Sequence, residues 1–462
     1  MPHQTDQPPI TIQSGVLHKL EQASRTKQSR VTHSVKEVAA PYVDRSIRVT
    51  ESFNDKEALL LTLQQHGKHL IEDLNFCVRL EELDKQDSRI GPGKPGVSTA
   101  AQEILSGTHT PNLKTINLQY EFELRTSDGP NVSPDVKAFE QSRDEDTLLQ
   151  LENDQTWRRL LADTWSALAA NHTATHLSMK CFAPVWSSAF YTPEFRALLG
   201  RLERLDMQVS GMKNGHRSIN TVPAYNDSLQ SLLKVYFLHA RSLRRLSLHA
   251  AQQAPLGARG HYHIPLSLKA TQLPALEHLS LKNCFVGFEL AHFVNGHAAT
   301  LGTLELHNCY AYRGTYDGPE SGGMQWGRFF SHINRPGSQL RRLAISDDHI
   351  PLTIDDPRLD TYDPDTANEP QDVKNVRRAQ RRDPRRRLFL YAYLRDYSGE
   401  LWMNKDAIVA AFESGDDQWE YAQLMARVDG NAVGEASVVA VEDEHNLIAK
   451  GEIPFGGGVE AF

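Results

Sequence analysis

The sequence has few cysteines, and none of them lie close together. The four that occur among 462 residues are Cys77, Cys181, Cys284 and Cys309. Disulfide frameworks are typical of small secreted domains with closely spaced cysteines. We therefore predict no disulfide framework and a location in a reducing compartment, either the cytoplasm or the nucleus.

Long apolar runs and a surplus of positive charge are also missing. No segment reaches the roughly 20 apolar residues that a membrane span requires, and the polar stretch from Met1 to Ile10 lacks the features of a secretory signal. The net charge is -8, with 50 Lys and Arg against 58 Asp and Glu. Binding to nucleic acid generally requires a positive surface. Neither a membrane nor a nucleic acid is expected as a partner.

Catalytic motifs are lacking as well. We find no glycine-rich phosphate loop, serine-nucleophile elbow, paired-cysteine motif or zincin helix. The best metal candidate is His261 with His263, joined by Cys284, but no second close pair of ligands accompanies them, so loop histidines are favoured over a metal site. We expect a protein that is not an enzyme and that has no cofactor and no metal site.

One pattern recurs along the chain: an apolar residue, two polar residues, an apolar residue, one polar residue and another apolar residue. Its second half alternates, which predicts a short strand with two apolar side chains on one face. One copy cannot bury that face alone, so stacked copies should form a parallel sheet with a continuous core. Eight copies begin at Ile71, Leu113, Ala174, Leu202, Leu243, Leu276, Leu301 and Leu340.

The predicted fold class is therefore α/β, as a leucine-rich-repeat solenoid. This would be an irregular horseshoe with a parallel sheet on the concave face and with helices and loops on the convex face. Amphipathic intervals such as Asp146 to Ala170 and Ser228 to His239 predict helices. Cys284 and Cys309 each follow the last apolar residue of a copy by three positions, where such repeats favour Asn or Cys, so both are expected to be structural.

The outward-facing positions of the repeats suggest a binding surface. Side chains alternate along a strand, so the third, fifth and seventh residues of each copy should face the concave side. From the third copy onward only Asp206 and Glu305 are acidic at these positions. We predict a basic, histidine-rich face that binds an acidic or phosphorylated protein segment; the alternative is a strand surface made basic for solubility. The candidate ligand-binding residues are His176, Lys180, Arg204, Arg245, His249, His278, Lys282, His307 and Arg342.

Two segments resemble fungal F-box/leucine-rich-repeat proteins, and the resemblance spans about Val31 to Val428. Ser29 to Val49 is similar to the helical tail of the F-box region and to the opening of the first repeat. The matching residues there are Val35, Val38, Ala40, Pro41, Tyr42, Arg45, Ser46 and Ile47. Leu388 to Val428 is similar to the tail that follows the repeats, with matches at Tyr391, Tyr393, Gly399, Asp417, Trp419 and Met425. The leucine-proline pair that opens an F-box is not found between Met1 and Lys27.

This resemblance implies substrate recognition for an F-box-type ubiquitin ligase, with the ligase adaptor as a second partner. The alternative is a stand-alone repeat scaffold without ligase attachment. Asp355 to Arg387 is almost free of apolar residues and predicts a disordered linker, whose arginine run is either a solvated charge run or a nuclear-import signal. The predicted divisions are a flexible amino terminus (1–28), an F-box-tail-like helical segment (29–50), the solenoid (51–350), the charged linker (351–387), a C-terminal cap (388–430) and a C-terminal tail (431–462).

Overall fold

A computed structural model describes much of the chain. The described residues are 46–50, 71–81, 97–123, 144–210, 213–214, 217–259, 262–312, 324–348, 352, 371–395 and 398–449. The predicted flexible amino terminus and most of the F-box-tail-like segment lie outside them.

Within these residues, nine strands form one parallel sheet, and each strand pairs with the sheet strands before and after it along the chain. The nine strands are β1 (Ser46–Thr50), β2 (Asp73–Glu81), β3 (Thr115–Glu123), β4 (His176–Phe182), β5 (Arg204–Val209), β8 (Arg245–His249), β11 (His278–Lys282), β12 (Thr303–His307) and β13 (Arg342–Ser346). Three small antiparallel hairpins consist of β6 (Lys213–Asn214) with β7 (Arg217–Ser218), β9 (Ala258–Arg259) with β10 (Tyr262–His263), and β14 (Ala392–Leu394) with β15 (Leu401–Met403).

Ten α-helices are described between and after the strands. They are α1 (Thr99–Leu105), α2 (Glu145–Asp154), α3 (Thr156–Ala169), α4 (Pro193–Arg201), α5 (Pro223–His239), α6 (Phe288–Gly296), α7 (Trp326–Ile333), α8 (Gln371–Arg382), α9 (Lys405–Ser414) and α10 (Asp416–Ala449). Short 3-10 turns occur at Ser188–Tyr191 and Ile219–Thr221. The prediction of an α/β fold with a parallel sheet is confirmed.

Each of the eight predicted copies supplies one strand, which begins two residues after the first apolar residue of the copy. The apolar positions are in register, so that Leu246 lies opposite Leu279 and Leu279 lies opposite Leu304. These leucines are fully buried, and the helices complete the core on the same side of the sheet. The polar residues between them face the other side. We call that side the open face.

The strands end in a repeated turn. Asn283 and Asn308 take left-handed backbone conformations, with φ of 55° and 46°, at equivalent positions after β11 and β12. Asparagine adopts this conformation more readily than most residues. The next residues, Cys284 and Cys309, are buried, and burial raises the pKa of the Cys284 thiol well above its ordinary value. Both cysteines are unpaired and belong to the core, as expected of structural residues.

The C-terminal strap, which we define as residues 386–395 and 398–403, runs back across the carboxyl ends of several strands. Ala311, just after β12, exchanges backbone hydrogen bonds with Leu390 and Ala392 of the strap at 3.0 and 3.1 Å. Farther along, Gly399 accepts a buried hydrogen bond of 3.1 Å from the Asn220 amide. The strap therefore links the end of the sheet to a segment that lies between β5 and β8.

The segment predicted to be a disordered linker contains a helix, α8, in the structure. Val373 and Val376 of this arginine-rich helix are buried, and this short apolar stripe was too small to stand out in the sequence. Two residues of the arginine run are also structural, since Arg386 lies over the Phe412 ring at 4.0 Å and Arg387 donates to the Ile345 carbonyl at 2.6 Å. Similarly, α10 continues through residues that were assigned to a tail.

Candidate ligand-binding face

The strand register places the candidate ligand-binding residues in rows on the open face. One row joins His176, Arg204 and Arg245, and it continues from Arg245 to His278. Another joins His249, Lys282 and His307 across β8, β11 and β12. Lys180, at the equivalent position of the third copy, does not continue this second row, because the register between β4 and β5 shifts after Met179. Lys180 lies opposite Gln119 on β3.

Acidic side chains on the same face neutralise part of this positive charge. Arg204 Nε lies 2.7 Å from Asp206 Oδ2 on the same strand. Glu305 meets Arg342 Nη2 at 3.2 Å with one oxygen and His278 Nε2 at 3.5 Å with the other. Asp206 and Glu305 look like exceptions in the sequence, whereas in the structure they are partners of the predicted cations.

A further acidic residue, Asp348, follows β13 and reaches the second row. Its carboxylate lies 3.3 Å from Lys282 Nζ and 2.9 Å from His307 Nε2. It also accepts a 2.7 Å hydrogen bond from the Asn308 amide, and together these contacts lower the pKa of Asp348. Asp348 was not included in the predicted surface because it lies in the turn after the strand.

Lys180 and Arg245 differ from the other candidate cations. Both side chains are exposed, and neither forms an ion pair with any residue in the described part of the chain. Arg245 lies between Arg204 and His278 in the first row, and Lys180 lies at the border between β3 and β4. Their charge is therefore available to an anionic ligand.

Two histidines on this face, His249 and His278, are held toward the neutral form. Burial lowers the pKa of His278, Glu305 opposes that shift, and Arg245, Arg342 and Arg204 add to it. Burial likewise lowers the pKa of His249, with Asp206 and Glu305 acting against the shift and with Lys282 and His307 reinforcing it. Near neutral pH His249 and His278 therefore add little positive charge to the face.

Asp347 lies beside Asp348, but its pKa is raised, whereas that of Asp348 is lowered. Burial raises the pKa of Asp347 to about 7; Arg387 opposes this shift and Asp348 adds to it. A folded-state pKa above the ordinary value of about 3.9 means that folding favours the protonated form. This contribution to stability is complete below about pH 4 and is lost as the pH rises through about 7.

Replacing Asp347 by asparagine should therefore stabilise the protein increasingly, relative to the wild type, as the pH rises from about 4 to about 8. Asparagine does not ionise, so the variant avoids the cost of ionising this half-buried carboxyl group. Urea unfolding of both proteins at several pH values measures the difference. The exposed Asp429→Asn variant is the control, and a difference for Asp347→Asn that does not change with pH would contradict the prediction.

The first two sequence copies contribute a feature that was missed. Asn75, Cys77, Asn117, Gln119 and Lys180 line a pocket of about 200 Å³ on the open face between β2, β3 and β4, which we call the amide pocket. The predicted binding surface was taken from the third copy onward, where its basic residues begin. Taking the same outward-facing positions on β2 and β3 would have shown the neighbouring amide side chains of Asn75 and Asn117.

Other sequence candidates do not form a site. His263 is buried against Phe285, with ring centroids 5.4 Å apart, and His261 lies outside the described residues. In the described part of the chain, no group of three or more His, Cys, Asp or Glu residues is arranged to hold a metal ion. Over the same residues, no helix is both long enough and apolar enough to cross a membrane.

Comparison with known proteins adds no family to this description. No protein-family model matches the chain, and no curated protein matches it at a significant level.

Proposed function

We propose that the chain is a leucine-rich-repeat solenoid that binds an acidic or phosphorylated segment of another protein on the concave, open face of its sheet. The observation that carries this proposal is the parallel stacking of eight sequence copies with their apolar positions aligned, with Arg245 and Lys180 exposed and lacking ion-pair partners among the described residues. A solenoid of this kind offers a long surface to an extended ligand.

The internal ion pairs of the face are compatible with ligand binding. The Arg204 side chain is about half exposed and that of Arg342 about two thirds exposed, and exposed ion pairs contribute only about 0 to 1 kcal/mol. A ligand carboxylate or phosphate can therefore share or replace Asp206 and Glu305 at a small cost. Arginine is suited to this exchange because its planar guanidinium group can hydrogen-bond two oxygens at once.

The resemblance to F-box/leucine-rich-repeat proteins supports a more specific role, in which the bound protein is a substrate of a ubiquitin ligase. The structure of residues 29–45, which carry the F-box-like part of the resemblance, is not described. A pull-down with the purified ligase adaptor separates the two forms of the proposal. If the chain retains the adaptor, the result would support a ligase substrate receptor in the cytoplasm or nucleus. If the adaptor is not retained, the result would favour a stand-alone scaffold.

Charge reversal on the open face tests the binding proposal directly. A random peptide library selected on the purified protein should yield peptides rich in Asp and Glu. We expect Arg245→Glu to weaken their binding by about tenfold or more, because it removes an attraction and adds a repulsion. A triple variant that combines Arg204→Glu, Arg245→Glu and Arg342→Glu should no longer bind these peptides.

Arg241→Glu provides a matched control, since Arg241 is exposed in the turn before β8 rather than on the open face. Fluorescence anisotropy of labelled peptides gives the dissociation constants. The proposal would be wrong if no acidic peptides were enriched, or if Arg245→Glu and Arg241→Glu had the same effect.

A further inference from the structure

We infer that the amide pocket is a subsite for one stretch of an extended peptide, in which Asn117 and Gln119 hydrogen-bond the peptide main chain and Lys180 pairs with an acidic side chain. The inference rests on the proposed function, because it concerns the same protein ligand on the same face. It extends the ligand-binding surface beyond the basic residues to β2 and β3.

The size of the pocket limits what it can hold. Pockets for small molecules and cofactors usually enclose about 300 to 1,000 Å³, whereas this one encloses about 200 Å³. Its floor includes Phe76 and Leu118, whose side chains are buried in the core. A shallow site of this size above a packed core suits a short stretch of peptide.

The lining residues are chemically matched to a peptide backbone. An amide side chain offers both a hydrogen-bond donor and an acceptor, as does each peptide group of a ligand. Asn117 donates to Asn75 Oδ1 at 3.1 Å, which fixes the orientation of its amide and leaves Oδ1 of Asn117 without a hydrogen bond from the described residues. Asn75 is thus a positioning residue for Asn117.

The spacing of the two amides fits an extended ligand. Asn117 and Gln119 lie two residues apart on β3 and face the same side, so they are separated by roughly 6.6 Å along the strand. A second extended chain repeats its backbone groups at the same interval. A peptide lying along β3 can therefore place successive peptide groups of the same orientation against both amides.

Lys180 gives the subsite its charge preference. It lies opposite Gln119 on the neighbouring strand, at a distance of roughly 4.8 Å between strands. No carboxylate lines the pocket, and within the described residues Lys180 has no acidic partner. An acidic side chain on the peptide would therefore be favoured beside Gln119.

Acidic peptides enriched from the random library serve as probes of this inference. Asn117→Leu, Gln119→Leu and Lys180→Met should each weaken peptide binding by about fivefold, as expected for the loss of one hydrogen bond or one exposed ion pair. Lys114→Met is the control for Lys180→Met, since Lys114 is an exposed lysine in the turn before β3. Thermal unfolding shows whether each variant remains folded.

Alkylation of Cys77 provides a second readout that does not depend on these variants. Cys77 is half-buried in the pocket, Cys181 is exposed, and the other two cysteines are buried. In a Cys181→Ser protein, a maleimide should react mainly at Cys77. A peptide at ten times its dissociation constant should slow this reaction by about tenfold.

The outcomes distinguish the inference from the proposed function. Failure to enrich acidic peptides would contradict both. A second outcome would overturn the subsite but leave the proposed function standing. In it, the peptides lose binding to Arg245→Glu, bind normally to the Asn117, Gln119 and Lys180 variants, and do not protect Cys77. Protection of Cys77 together with weaker binding in the three variants would establish the subsite, whatever the effect of Arg245→Glu.

Discussion

Replacement of Asp417 by alanine should lower the free energy of unfolding by roughly 2–4 kcal/mol. Asp417 is buried in the first turn of α10, and its two oxygens accept hydrogen bonds from different parts of the chain. Oδ1 accepts from the Gly327 backbone at 2.7 Å, and Oδ2 accepts from the Tyr391 hydroxyl at 2.8 Å. Alanine would leave both buried donors without that partner, so one substitution loosens α7, α10 and the C-terminal strap together.

Denaturant unfolding followed by circular dichroism measures the effect. Trp419→Ala is a suitable control, because Trp419 lies on the same helix but its side chain is 64% exposed. A double-mutant cycle with Tyr391→Phe isolates the hydroxyl–carboxylate hydrogen bond from the rest of the site. A loss of stability in Asp417→Ala no larger than that in Trp419→Ala would show that Asp417 does not anchor this region.

Replacement of Trp165 by alanine should cost about 3–5 kcal/mol, the range for a large aromatic side chain removed from a core. Trp165 is completely buried on α3. Its ring meets three other aromatic rings edge to face, those of Phe190 at 5.3 Å, Phe195 at 5.7 Å and Tyr236 at 6.2 Å. These rings belong to the Ser188–Tyr191 turn, α4 and α5, so Trp165 on α3 connects four segments of the helical side.

A milder substitution tests the explanation. The indole N–H of Trp165 is buried and has no hydrogen-bond partner among the described residues. Trp165→Phe keeps one ring and removes that unsatisfied donor, so it should cost clearly less than Trp165→Ala. Trp402→Ala, at a tryptophan that is 44% exposed, is the control for a surface aromatic residue. Equal losses for Trp165→Ala and Trp402→Ala would contradict the core role.

The strands were predictable from the sequence because their pattern is local. Residues such as Leu279 and Leu281 alternate with polar neighbours, and this alternation determines both the strand and the face that it buries. Since the same pattern recurs in register, the row that joins Arg204 and Arg245 was also predictable. The pairing of Arg342 with Glu305 could have been inferred from these rows by comparing neighbouring strands rather than counting charges.

Contacts between distant or irregular segments were not predictable in this way. Asp348 reaches Lys282 from a turn, and the conformation of that turn depends on its hydrogen bonds with Asn308. Arg386 and Arg387 look like part of a solvated charge run, yet their guanidinium groups lie against Phe412 and Tyr421. Long side chains can bury their aliphatic part and one ring face while they remain charged, so the residue type alone does not show which arginines are structural.

The C-terminal strap also has a consequence for the order of folding during synthesis. Asn220 and Gly399 are 179 residues apart in the chain, although they share a buried hydrogen bond. Stacked strands that contact only their neighbours can assemble one after another as they leave the ribosome. The strap emerges after all nine strands of the sheet, and until it arrives the Asn220 amide and the carboxyl ends of β8, β11 and β12 lack their final cover. Completion of this region therefore has to await synthesis of the strap, and a ribosome stalled before residue 386 would carry a stacked but open-ended sheet.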